Sequence, residues 1–300
     1  MTKFEKCLWI IDILLRSNGL SLKEINDKWK ETAIYDYKPI TERTFNRYKN
    51  DIAGYFGIDI EYSARSYSII NKEAIANNAL YRYLLGAFHV RALNTLAIKH
   101  RDRVMLQDIP QGVEHLSVIL KAIDEGKTVS FFYQSYFSTE KRDKLNVIPC
   151  FVRMFEGRWY LIAEYLNRSK TWVYALERMQ EVSVGTSKLK CLPKNNPEDY
   201  YMGCFGIIRD DRKPALIKLK AYDQQVDYLR SIPLHSSQEE IETQPGYSVF
   251  SYYLRPSYDF MQKILWHREK VEILEPASVR EEMKKLIEEM LKKYITGKHP

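Results

Sequence analysis

The chain has little cysteine, little glycine and proline, and no long apolar run. Its four cysteines, Cys7, Cys150, Cys191 and Cys204, stand far apart with no C-x-x-C pair. That spacing suits neither a tetrahedral zinc site nor a disulfide framework, so reduced thiols are expected. Twelve glycines and eleven prolines in 300 residues exclude collagen-like and loop-dominated folds. No apolar stretch approaches the ~20 residues that span a bilayer. The start, Met-Thr-Lys-Phe-Glu-Lys, carries charge where a signal peptide needs an apolar core. A cytoplasmic protein with no membrane partner is the expectation. Catalytic signatures are missing too. The six histidines show no H-E-x-x-H spacing, and no phosphate-cradling glycine loop or G-x-S-x-G elbow occurs. His235 beside Ser236 and Ser237 reads as a turn rather than a hydrolase site. A binding protein is expected, not an enzyme, with no cofactor and no metal.

What is present is a globular composition, 45% hydrophobic and 28% charged. The length is about twice that of a typical ~150-residue domain, so several domains are expected. The net charge is +7, from 46 Lys+Arg against 39 Asp+Glu. Such an excess permits a nucleic-acid partner without identifying one. Residues 1–71 hold 11 basic against 10 acidic side chains, so any DNA contact there must come from a local patch.

Phe4, Leu8, Ile11 and Leu15 repeat at helical spacing, and Asn18-Gly19 ends that helix. Ser21-Leu22-Lys23-Glu24 has capping-box form and opens a second helix to about Lys30. A third begins at Pro39-Ile40-Thr41, and its Phe45, Tyr48, Ile52, Tyr55 and Phe56 share one face at ~100° per residue. Arg43, Asn46, Arg47 and Asn50 fall opposite. Forked guanidinium and amide groups are the ones that read guanine and adenine edges or grip phosphates. Ile58–Tyr62 and Tyr67–Ile70 then alternate around a small polar turn, as a β-hairpin does. Three helices followed by a hairpin is the winged helix-turn-helix order. Arg43, Asn46, Arg47 and Asn50 are the candidate base readers, Thr44 and Lys49 the phosphate contacts, and Arg65 the hairpin tip beside the DNA backbone. The bland alternative is an idle solvated face, and the Glu31–Lys38 segment is longer than a tight turn.

Residues 72–112 read as a helical linker with a basic bias, including Lys99, Arg101 and Arg103. From Val113 one short helix (Leu116, Ile119, Leu120, Ile123) precedes five strands, at Thr128–Tyr133, Val147–Phe155, Arg158–Tyr165, Thr171–Leu176 and Met179–Val184. That order suggests a small barrel. Pro149 marks an edge or a bend, where one ladder donor is missing. Trp159, Leu161 and Ala163 share one face of their strand, with Arg158, Tyr160, Ile162 and Glu164 on the other. Phe151, Arg153 and Phe155 likewise oppose Cys150, Val152 and Met154. One face is core. The other mixes aromatic and basic groups, which suits bases and phosphates, or is ordinary amphipathic surface.

Here the residues resemble a known family. Gly157-Arg158-Trp159-Tyr160-Leu161 contains the tripeptide that names the WYL domain, and Ala122 to Val184 resembles that domain throughout. Tyr133 ends the first strand, Pro149 precedes Trp159 by ten residues, and Tyr174-x-Leu-Glu-Arg178-Met closes the set. The resemblance implies an Sm-like barrel that senses a nucleotide or nucleic-acid ligand on bacterial transcription regulators. It places the ligand contacts on Tyr133, Tyr136, Arg153, Arg158, Tyr160, Tyr174 and Arg178. Leu145 and Trp172 stand where the family often has arginine.

Beyond a charged linker at 206–214, the strands at 215–222, 239–243, 247–254 and 271–274 alternate with helices at 223–232, 257–267 and 277–295. That is the ferredoxin-like order plus a final helix. Leu234-His235-x-Ser237-Gln238, and Leu274-Glu-Pro276 followed by Arg280, resemble the WCX extension, which implies a part in dimer formation. Arg43-Thr44-Phe45 is similar to the start of the recognition helix in DeoR-like winged helices. The expected fold is therefore α+β and multidomain. It comprises a winged helix-turn-helix (1–71), a helical linker (72–112), an Sm/SH3-like β-barrel (113–205) and a ferredoxin-like α/β domain (206–300). The expected partners are a palindromic double-stranded operator, a nucleotide or single-stranded nucleic-acid effector, and a second copy of the chain. The rival is an RNA- or nucleotide-binding effector whose barrel does the work while the winged helix serves as an interaction module.

Overall fold

Helices come first along this chain and antiparallel sheets follow. The computed structural model describes residues 1–32, 38–99, 103, 112–134, 143–165, 170–189 and 196–296. They divide into two compact units, Met1–Gln107 and Asp108–Pro300.

The first unit holds α1 (Lys3–Leu15), α2 (Leu22–Thr32), α3 (Glu42–Phe56), β1 (Ile60–Ser63), β2 (Ser66–Ile69), α4 (Lys72–Asn77) and α5 (Ala79–Lys99). Thr2 starts α1 with a capping box: its hydroxyl accepts from the Glu5 amide at 3.3 Å, and the Glu5 carboxylate accepts from the Thr2 amide at 2.6 Å. Cys7, Ile10, Ile11 and Leu14 of α1 meet Ile25 and Trp29 of α2 and Phe45 and Ile52 of α3 in one core. Ile60 pairs with Ile69, and both are buried, so the hairpin closes over that core. Its turn residues, Ala64 and Arg65, take φ of 50° and 64°, the left-handed pair that a two-residue hairpin turn needs. Residues 72–99 are not one helix. Asn78 leaves helical geometry, and its Oδ1 accepts from the Leu80 amide at 2.9 Å, ending α4 and starting α5. Tyr81, Leu84, Leu85 and Phe88 of α5 pack on the first unit's core, so this stretch is more than a spacer. Arg101 lies outside the described residues.

The second unit begins with α6 (Leu116–Asp124), β3 (Lys127–Tyr133), β4 (Asp143–Phe155), β5 (Arg158–Tyr165), β6 (Thr171–Ala175) and β7 (Met179–Lys188). The strands pair antiparallel in the order β6-β5-β4-β3-β7. One 3₁₀ turn, Leu176–Arg178, links the two edge strands. Five strands laid flat would hold their edges ~19 Å apart, whereas four peptide steps reach ~14 Å at most. The sheet must therefore curl until its edges approach. α6 packs Ile119 and Ala122 into the core inside the curl, beside Val129, Phe131 and Leu161. Pro149 marks a bend and not a sheet edge: β4 lies between two neighbours, its last β3 partner is at Val147, and its register with β5 shifts between Pro149 and Phe151.

There follow α7 (Pro197–Tyr200), β8 (Ala215–Tyr222), α8 (Gln225–Ser231), β9 (Glu239–Gln244), β10 (Tyr247–Leu254), α9 (Tyr258–Trp266), β11 (Val271–Glu275) and α10 (Ala277–Thr296). The strands form a second antiparallel sheet in the order β11-β8-β10-β9. Period-2 burial along β8, with Ile217, Leu219 and Ala221 at 0% exposure, supplies the face that Phe260 and Ile264 of α9 cover. Trp266, at the last position of α9, is 79% exposed, because the buried stripe of the helix stops at Ile264. The 206–214 segment is no loose linker. Ile207 is buried, the Ile208 amide donates to Asp259 at 2.8 Å, and Arg212 pairs with Glu282 at 3.1 Å. Gly206 permits the approach, since a Cβ there would lie 2.2 Å from the Asp259 carboxylate.

Candidate nucleic-acid interface and effector face

The entry to α3 is fixed by side chains. Asn26 donates to the Ile40 carbonyl at 2.9 Å and accepts from the Ile40 amide at 2.7 Å, while the Trp29 indole donates to the Lys38 carbonyl at 3.1 Å. The long connection before α3 thus ends in a clamped segment. Thr41 then caps the helix, accepting from the Thr44 amide at 3.2 Å. Phe45 and Ile52 are 0% exposed, and Tyr48 and Phe56 are also buried. Arg43, Asn46, Arg47 and Asn50 are all exposed, with Thr44 and Lys49 half-buried beside them. Tyr55, expected on the buried face, is 60% exposed, because the core has ended by that last turn; its ring meets Phe4 and Phe56 and the Lys3 ammonium 6.0 Å away. Among the described residues no carboxylate lies within ion-pair distance of Arg43 or Arg47; the Arg47 guanidinium lies 5.8 Å from the Tyr48 ring. Arg65 stands exposed at the hairpin tip, near the tilted ring pair of Tyr62 and Tyr67, whose centroids are 4.7 Å apart.

The candidates on the curled sheet separate into two faces. Tyr133 and Tyr174 belong to the core: their rings are 5.0 Å apart, and the Tyr133 hydroxyl accepts from the Ala175 amide at 3.2 Å. Burial raises the Tyr174 phenol above its ordinary value. These two tyrosines support the sheet from inside instead of lining its outer face. On that outer face, Arg153 sits across from Tyr160, and Phe155 across from Arg158. Arg158 reaches Glu177 of the 3₁₀ turn at 3.6 Å. Tyr160 is half-buried, and burial raises its phenol, while Arg158, Glu177 and Arg178 act on it electrostatically. Arg158, Tyr160 and Arg178 are thus gathered around Glu177. Tyr136 lies outside the described residues.

Much of the outer face, read from the sequence as suited to bases and phosphates or as amphipathic surface, is covered. Tyr200, Tyr201, Cys204 and Ile207 pack on Phe151 and Ile162, and the Arg153 guanidinium lies 3.7 Å over the Tyr201 ring. Sequence reasoning missed Tyr201, because an adjacent tyrosine pair before a charged stretch has no periodicity to assign it. It also missed Glu177, although that residue lies inside the Tyr174–Met179 motif. His235 makes a turn, with Nδ1 2.8 Å from the Ser237 hydroxyl. Among the described residues, no group of three His, Cys, Asp or Glu side chains could hold a metal ion, and no helix is long and apolar enough to cross a membrane.

A curled five-stranded antiparallel sheet followed by a second antiparallel sheet is the setting in which the comparisons fall. Residues 114–184 match the WYL domain and residues 213–291 match the WCX domain. The chain is a WYL-domain protein carrying a WCX extension. Among solved structures, the proteasome accessory factor B/C (PafBC) of Arthrobacter aurescens is similar at 18% identity, over 93% of this chain and 45% of that one, with a TM-score of 0.35. The chain therefore spans less than half the length of that protein. A CRISPR Cas-related protein is similar at 13% identity, over 99% of this chain and 86% of that one, with a TM-score of 0.40. A search of the curated proteins finds no match.

Proposed function

We propose that this chain is a sequence-specific DNA-binding regulator of transcription, a repressor acting as a homodimer on a palindromic operator in the bacterial cytoplasm. A nucleotide or single-stranded nucleic-acid effector modulates it through the WYL domain. The observation that carries the reading is the division of α3: Arg43, Asn46, Arg47 and Asn50 are exposed, opposite buried Phe45, Tyr48, Ile52 and Phe56. A helix of this composition fits the major groove, with Thr44 and Lys49 on phosphates and Arg65 on the flanking backbone. Arg158, Tyr160 and Arg178 contact the effector, and Tyr133 and Tyr174 hold the sheet beneath them. The WCX domain supports dimer formation. The effector acts by binding two arrangements of the dimer with different affinity. The work is binding, with no catalytic step and no cofactor.

Selection of a preferred duplex followed by titration tests the DNA reading. Arg47→Ala is expected to cost ~1–3 kcal/mol on the preferred site and far less on random duplex. An equal loss on both makes Arg47 a phosphate contact, and a wild-type chain without sequence preference overturns the reading. Tyr160→Ala is expected to retain operator affinity and lose the response to oligonucleotides; an undiminished response removes Tyr160 from the effector face. The pairing of Arg153 with Tyr160 favours a second reading, an RNA- or nucleotide-binding effector with the winged helix as an interaction module. Competition of palindromic duplex against single-stranded RNA at matched salt separates the two.

A further inference from the structure

The final helix carries more apolar surface than the C-terminal sheet covers. Val279 and Met283 of α10 are buried against that domain, with Leu286 half-buried beside them. From 287 to 295 every residue is exposed. Ile287, Met290, Leu291, Tyr294 and Ile295 recur at i, i+3, i+4, i+7 and i+8, so they form one stripe, exposed by 46% to 87%. The stripe opens into a groove of about 600 Å³ lined chiefly by Leu265, Val271, Ile273, Met283, Ile287 and Met290. Leu291, Tyr294 and Ile295 do not line it, so a small molecule in the groove would leave them in water. Large apolar side chains gathered on one face mark an interaction surface.

The charges beside the stripe identify the partner. Glu281, Lys284, Glu288 and Lys292 follow at i, i+3, i+7 and i+11 along one edge. Within one chain Lys284 also lies 3.8 Å from Glu281, an exposed pair. Two such helices laid antiparallel, about a two-fold axis between Leu286 and Ile287, bring Glu281 opposite Lys292 and Lys284 opposite Glu288. Symmetry forms each pair twice. The same register sets Met283 opposite Met290 and Ile287 beside its own copy, so the stripe of each chain closes the groove of the other. A parallel pair would instead set Glu281 level with Glu282 and Lys292 level with Lys293 of the second copy, like against like. An unrelated helix has no reason to match this pattern. A second copy of the chain matches it by its own sequence.

We infer that α10 is a self-association helix: its 287–295 half seats against the α9–α10 groove of a second copy, antiparallel, with Ile287 at the two-fold centre. Apolar burial supplies most of the affinity, because exposed ion pairs contribute little, and the charges set direction and register. The seam deepens the homodimer of the proposed function and rests on that reading for its use on an operator; self-association itself is measured without DNA.

Sedimentation of the full chain over a range of concentrations tests it. The wild type is expected to dimerise, and Ile287→Glu and Tyr294→Glu are each expected to weaken association tenfold or more. Tyr294 is 87% exposed, so Tyr294→Glu keeps its melting temperature and remains informative if Ile287→Glu fails to fold. Lys284→Glu and Glu288→Lys each turn opposed pairs into like-charged ones, and each is expected to weaken its own dimer about three- to tenfold. Mixed in equal amounts, these two variants are expected to associate with each other at least as tightly as the wild type does. That recovery requires position 284 of one copy to face position 288 of the other, which only the antiparallel register provides. The seam is refuted if the wild type is monomeric, if Ile287→Glu and Tyr294→Glu both dimerise as the wild type does, or if mixing the two charge variants recovers nothing. A dimer lost on Ile287→Glu, with no preference for palindromic duplex in the wild type, upholds the seam and defeats the operator reading. A palindrome bound unchanged by variants that no longer self-associate upholds the seam and removes it from operator recognition.

Discussion

The outward face of α3 and the outward face of β4 and β5 carry similar chemistry, guanidinium groups beside aromatic rings, and differ in what covers them. On α3, Arg43 and Arg47 stand in water with the rings of Phe45 and Tyr48 behind them, so no charge is desolvated. On the sheet, Arg153 lies under Tyr201 and has lost part of its hydration. An open convex face can enter a duplex groove ~12 Å wide. A face half-roofed by its own chain leaves room for something smaller, which under the proposed function is a nucleotide or a single strand. Coverage separates two roles that composition leaves alike.

The comparison breaks most completely from behind α3. Phe45 is fully buried, with its ring 4.4 Å from that of Tyr67 on the hairpin. Phe45→Ala is expected to destabilise the first unit by about 3–5 kcal/mol, read from the urea midpoint, and to remove duplex binding with it. A loss below about 1 kcal/mol would mean that the hairpin and α3 are not held by this contact.

On the covered side, backbone contact positions the charges. Gly112 has φ of 97°, and a Cβ there would come within 2.4 Å of the Leu176 carbonyl carbon and 2.5 Å of the Glu177 nitrogen. Gly112→Ala combines a left-handed penalty of about 1–2 kcal/mol with overpacking of about 1–3 kcal/mol. Roughly 2–5 kcal/mol of lost stability is expected by thermal denaturation, and oligonucleotide binding should fall as Glu177 and Arg178 shift. Unchanged stability would show that the 3₁₀ turn yields freely, and with it that Glu177 is not rigidly held.

Much of this organisation was legible in the residues alone. The strands at Arg158–Tyr165, Ala215–Tyr222 and Tyr247–Leu254 were bounded correctly because turn residues flank a clear period-2 pattern. The two faces of α3 were legible for the same reason, apart from Tyr55, whose angle is right but whose turn has no core left to pack on. The division at Asn78 was missed, since asparagine inside an apolar repeat declares a cap only once its Oδ1 has found an amide. The roof over Arg153 could not be read at all. Tyr200, Tyr201 and Ile207 reach it by tertiary packing, and nothing local in Pro197–Pro214 records which sheet they meet.

The smallest expected effect bears on the open face and has two opposed signs. Arg65 occupies a left-handed turn position, φ 64°, that glycine fills without steric cost. Arg65→Gly is therefore expected to stabilise the hairpin by a few tenths to ~1 kcal/mol, because relief of the strained backbone outweighs the added freedom of the unfolded chain. Duplex binding should weaken to a similar extent on every sequence, and the slope of log affinity against log salt should fall by about 1, the signature of one lost phosphate contact. Urea midpoints measure the first change and salt titrations the second. If stability rises while the salt slope stays fixed, the hairpin tip does not touch DNA and the interface is confined to α3. If both move as stated, a side chain is being kept where the backbone alone would favour glycine, which makes Arg65 part of the interface on physical grounds.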